Sequence, residues 1–178
     1  MENTPWNDRA NKCTMFHIID FSDSGEIRVF RETVPGVMDK KQVTNHLKNI
    51  QPVYGPTNPK DDPLFIDANG YCRLVFAFDK LKPNCLFHKT WPFSLKHRGE
   101  GGDASPEFDC LETISRGDMG YSGNEAAISA FFIDDKNSKV DPYLIPYNLF
   151  AHFSQDASDE NAYVTSVTID PSIKNNNG

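Results

Sequence analysis

Residues 72–79 read CRLVFAFD, and this octapeptide decides the fold class. Leu74, Phe76 and Phe78 alternate with Val75 and Ala77, so an extended chain here carries apolar side chains on both faces. Only a strand covered on both sides tolerates that pattern, and a central strand is expected. Asn69-Gly70 comes just before it. Both residues accept positive φ, so residues 64–66 and 72–79 are predicted to form a hairpin around Asp67-Ala68-Asn69-Gly70.

Working outward toward the N-terminus, residues 13–20 (CTMFHIID) and 26–33 (EIRVFRET) flank SDSG, a second hairpin signal. Pro35-Gly36 ends it with the pair a type II turn favours. Between residues 39 and 50 the period changes: Val43, Leu47 and Ile50 recur at helical spacing behind Asp39, a capping residue. One short amphipathic helix is predicted. Residues 51–63 hold four prolines and read as a surface loop.

On the C-terminal side, residues 85–97 (CLFHKTWPFSLKH) have strand composition, but Pro92 lacks a backbone donor and predicts a sheet edge or a bulge. Residues 98–106 connect to a weaker strand at 108–114, and 116–124 form a glycine-punctuated loop. Residues 127–134 (AISAFFID), 147–154 (YNLFAHFS) and 162–170 (AYVTSVTID) are three strands expected to lie antiparallel. The sum is an all-β domain, an antiparallel β-sandwich of about eight strands with one short helix. It spans residues 13–174, between a flexible arm at 1–12 and a polar tail at 175–178, with Asp170-Pro171 expected to stop the last strand.

The chain has 178 residues, and its 38% hydrophobic content is concentrated in bulky side chains, 13 Phe, 6 Tyr and 2 Trp, enough for one packed core. A net charge of −7 argues against nucleic acid, whose recognition begins with clustered cations. Residues 1–11 lack the basic start and apolar run of a secretory signal, and no apolar stretch suits a membrane span. A cytoplasmic setting without membrane attachment is expected. Cys13, Cys72, Cys85 and Cys110 are scattered with no CxxC pair, so free thiols, no zinc and no cofactor are expected.

Three groups of residues invite a chemical reading. Trp91, Phe93 and Tyr143, with His97 and Arg98 beside the glycines at 99–102, would suit a sugar, peptide or anion through stacking and a cationic loop. Asp134, Asp135, Asn137 and Asp141 offer hard oxygen ligands of the kind Ca²⁺ takes, although the EF-hand glycine and closing Glu are missing. Cys85, His88 and His97 would make a thiol and imidazole set, but nine residues separate the histidines and a regular strand turns them to opposite faces. No GxSxG or HExxH motif occurs, and no residue is assigned a catalytic role.

Gly101-Gly102, Ser105-Pro106-Glu107-Phe108, AISAFFID, PYNLFAHF and IDPSIKN at 169–175 together resemble a group of small bacterial β-rich proteins that often carry the label nucleotide synthetase. More distantly the pattern is similar to the AidA/PixA inclusion-body family. That resemblance implies a similar size and β-rich character and no established reaction. The leading expectation is a non-catalytic module that meets a protein partner or copies of itself through an edge strand or loop surface. The alternative is a small-ligand or carbohydrate binder, with or without Ca²⁺, and the third reading is a Cys/His hydrolase or transferase.

Overall fold

The computed structural model describes residues 12–21, 25–56, 62–82, 84–96, 107–137, 143–154, 163–169 and 171–176. Among them are β1 (Cys13–Phe21), β2 (Ile27–Pro35), α1 (Lys40–Asn49), β3 (Ile66–Asn69), β4 (Cys72–Phe78) and β5 (Cys85–Phe87). β6 (Phe93–Leu95), β7 (Phe108–Ser115), β8 (Ile128–Asp135), β9 (Tyr143–Ser154), β10 (Tyr163–Ile169) and β11 (Ser172–Asn176) complete the order.

The chain is strand-rich, and its strands join into one sheet curled as a half-barrel. The order is β2-β1-β4-β8-β5-β9-β11-β3, with β7 on β8 and both β6 and β10 on β9. The sheet is mixed, which corrects the expectation of an antiparallel sandwich: β1 runs parallel to β4, and β3 parallel to β11. The strands also exceed the expected eight, partly because residues 85–97 split in two. Phe87 pairs with Ala151 and Phe93 with Leu149. The intervening residues bulge opposite Phe150, whose N–H donates to the Pro92 carbonyl at 3.0 Å.

β4 is central, as its two-faced apolar pattern predicts. Leu74, Phe76 and Phe78 enter the inner core inside the curl with Ile19, Phe131, Ile145, Tyr147, Leu149 and Ile173. Val75 and Ala77 point the other way, into a second cluster with Phe16, Ile18, Ile114, Ala130 and Phe132, which α1 covers with Val43 and Leu47. Burying each such aliphatic side chain is worth roughly 1.5–3 kcal/mol. The helix begins where the sequence sets it: the Asp39 carboxylate accepts from the Gln42 N–H at 2.8 Å, while the Gln42 side chain accepts from the Asp39 N–H. This reciprocal pair satisfies two N–H groups that the first helical turn leaves open.

The first hairpin forms over nine paired positions, from Cys13–Pro35 to Phe21–Ile27, and Gly36 beyond it has φ +82°. The second does not form. β3 pairs with β11 rather than with β4, and Gly70 (φ 72°) swings the chain from one wall of the curl to the other. The reason is burial: Ile66 and Ala68 share the inner core with Leu74 and Phe76 without lying beside them in one ladder. β10 ends at Ile169, just ahead of Asp170-Pro171 as expected, but a further strand, β11, begins at Ser172. Ile169–Leu149 and Ser172–Pro146 fall on one register, and the Pro171 carbonyl still accepts from the Tyr147 N–H at 3.0 Å. Only one donor is lost, so pairing resumes and continues through Asn176.

Candidate functional site

The proposed Ca²⁺ ligands are divided by the pleat of β8. Asp134 lies on the face toward α1, where Arg73 donates to both of its oxygens (2.7 and 2.8 Å) and the Tyr71 hydroxyl donates to one (2.6 Å). Asp135 points into the curl, where its carboxylate accepts from the Asn137 N–H at 3.0 Å, and the Asn137 amide donates to the Ala68 carbonyl. Successive side chains on a strand face opposite ways, so these carboxylates do not converge. Asp141 lies outside the described residues, as do His97 and Arg98.

The aromatic set also separates. Trp91 is 66% exposed, whereas Phe93 is buried and stacks on Tyr147 with centroids 5.4 Å apart. Tyr143 begins β9. The His88 Nδ1 accepts N–H bonds from Thr90 (3.2 Å) and Trp91 (3.0 Å), which makes that ring nitrogen a fastener for the bulge. Cys85 packs against the inner core, and burial pushes its thiol up to about 11. A thiol so raised is a poor nucleophile near neutrality.

Three clusters come together only in the folded chain. Around a bulge in β7, Cys110 takes φ 55°, and Asp109, Cys110 and Asp134 place ligand atoms within 4.8 Å of one another. Arg73 already engages Asp134, and Lys136 lies 3.0 Å from Asp109. The Cys110 thiol and then Lys136 hold the Asp109 carboxyl below its ordinary range. Two cations therefore balance two carboxylates.

At the C-terminal ends of β1 and β4, buried Asp20 is bonded by Arg28 and faces Lys82 at 3.8 Å. Asp79 accepts from the Tyr54 hydroxyl at 2.6 Å, and burial followed by that bond raises the Tyr54 phenol far above its usual value. The crevice beside Asp79, lined by Lys82, Cys85, Met119 and Tyr121, encloses about 20 Å³. That admits one water and no substrate.

Inside the curl, His17 is fully buried and stacks on Phe76, with Nδ1 3.1 Å from the Val75 carbonyl. Burial, and secondarily the Arg31 charge, lowers its pKa to about 3. It is a neutral core imidazole whose Nδ1–H donates to that carbonyl. Arg31, on the same face of β2, donates to the carbonyls of Pro63 and Phe65 at 2.6 and 2.5 Å, tying one end of the curled sheet to the segment that leads into β3.

A concavity of about 400 Å³ lies beside α1, lined by Lys40, Lys41, Lys48 and Asp118, and a further surface with recognisable capacity is the outer edge of β2. All nine residues pair one-for-one with β1 without a bulge, and among the described residues no strand pairs on the other side. β7 and β10, which also have a single partner among the described residues, are each interrupted by a register shift, a feature that blunts an edge. The Arg28 and Glu32 side chains keep 37% and 40% of their surface exposed, while Arg28 also bonds Asp20 and Glu32 lies 2.5 Å from the His46 ring nitrogen within the same chain. Compared with known families and with curated proteins, the chain matches no family model and no curated protein.

Proposed function

We propose that the chain is a non-catalytic assembly module that joins a second copy of itself through the outer edge of β2. The observation that carries this reading is the regular, unbulged nine-residue run of β2 with backbone groups open on one side. Such an edge is a template for strand addition. In an antiparallel, two-fold pairing centred on Phe30, Arg28 of each copy lies opposite Glu32 of the other. Opposite charges favour that register, whereas centring on Arg31 would set two like charges face to face. The half-buried Cys85 thiol, raised by that burial, and the fastened His88 ring favour a non-catalytic reading. Membership of the small bacterial β-rich group that residues 101–175 resemble belongs to the same proposal.

Sedimentation velocity over a concentration series tests it. The wild-type chain should double in mass, and Glu32→Lys, which sets Lys opposite Arg28, should return it to monomer. Thr33→Lys, a charge at an exposed edge position, should weaken association likewise. A wild-type chain that stays monomeric at every concentration, or a dimer indifferent to both substitutions, overturns the reading.

A further inference from the structure

Cys13 and Cys72 are 59 residues apart in sequence, yet their sulfurs lie 2.9 Å apart. The parallel pairing of β1 with β4 makes them direct partners at the first position of both strands. Both side chains belong to the inner face. Adjacent strands run about 4.8 Å apart, inside the roughly 4.4–6.8 Å between Cα atoms that a disulfide spans. The register thus supplies the separation, and the side chains already point at one another.

We propose that Cys13 and Cys72 form a thiol–disulfide exchange site, oxidised by a low-molecular-weight disulfide to a covalent staple between β1 and β4. The two thiols are unequal in access and acidity. Cys13 is half-buried, whereas Cys72 is 1% exposed. The bond from Cys72 lowers the Cys13 thiol below its ordinary value, while the same contact and burial push Cys72 far up. Thiolate, not thiol, attacks a disulfide, so Cys13 is the entry group and Cys72 completes the bond.

In the first step the Cys13 thiolate attacks one sulfur of R–S–S–R, forming Cys13–S–S–R and releasing RS⁻. In the second, Cys72 gives its proton to solvent and attacks the Cys13 sulfur, expelling the second RS⁻. Two protein thiols are oxidised and one small disulfide is reduced to two thiols. The staple would close the chain between residues 13 and 72 and restrict the unfolded state, so oxidation should raise Tm by about 10 °C.

The test treats the full chain with oxidised glutathione, blocks remaining thiols with iodoacetamide and maps peptides by mass spectrometry alongside thermal melts. The expected result is a Cys13–Cys72 cross-linked peptide and a raised Tm, both absent in Cys13→Ser, a change at the less buried position. Cys72→Ala should instead trap the glutathione adduct on Cys13. A short cysteine-containing peptide added to the same reaction serves as the control for reagent activity, because the bond to Asp109 pushes the exposed Cys110 thiol up to about 11. If that peptide is modified while no Cys13–Cys72 peptide forms in the folded chain, or if the cross-linked protein melts at or below the reduced one, the proposal is overturned.

Discussion

Acidification from pH 7 to pH 5 should remove about 2 kcal/mol of stability through His17 alone. The folded imidazole, buried against Phe76, takes a proton only near pH 3, whereas an unfolded one does so below about 6.5. Between those values the unfolded chain binds more protons. Stability therefore rises with pH there and is lost as pH falls below about 6.5, approaching roughly 1.4 kcal/mol per pH unit. Asp and Glu in the unfolded chain titrate mainly below about pH 4.5, which leaves this window largely to histidine. Urea unfolding at pH 7, 6 and 5, with and without His17→Asn, isolates the effect. The Asn amide can keep the bond to the Val75 carbonyl but has no proton to gain. His152, also lowered by burial and by His88, is present in both proteins and cancels in the comparison. Equal slopes for the two proteins would refute a neutral, buried His17.

Asp134→Ala should cost about 3–5 kcal/mol in urea melts, because Arg73, itself only 13% exposed, loses its bidentate partner. Adding Arg73→Met should recover part of that loss. Asp39→Ala should lower stability by about 1 kcal/mol through the lost cap, with Asp39→Asn nearly neutral. Truncation after Glu160 removes Ile169 and Ile173, both buried, and strips β3 of its ladder. That chain should show no cooperative melt, and a melt near the full-length Tm would disprove the assignment of β11 to the core. Ending the chain after Lys174 removes the last two pairings with β3 and should lower Tm by only a few degrees.

The elements legible in sequence are those whose cause is local. The β1–β2 hairpin, the helix behind Asp39 and the two-faced burial of β4 each follow from residues close together in the chain. The bulge at Pro92 follows from a missing N–H. The β3–β11 pairing, by contrast, depends on which wall of the curl each segment reaches, and Asn69-Gly70 serves an arch as readily as a hairpin. The same holds for chemistry. The approach of Cys13 to Cys72, and of Asp109 to Asp134, is created by strand register across the sheet, which scattered cysteines and loop acids do not display. One feature of the candidate metal set was legible: Asp134 and Asp135 are neighbours on a strand, and the period of two already sends them to opposite faces.

The β3–β11 ladder also bears on how quickly the molecule reaches its final shape. Ile66 has no strand to lie beside until Ile173 arrives, so one wall stays unfinished while β1, β2 and α1 complete their local contacts. Pairings between distant segments slow folding because the chain entropy is lost before the contacts reward it. During that delay β3 and the first third of β9 stand as open, apolar-sided edges, the kind of surface on which incomplete chains aggregate. Dilute, cool refolding should therefore recover far more protein than rapid refolding at high concentration, even when the finished molecule is equally stable under both conditions.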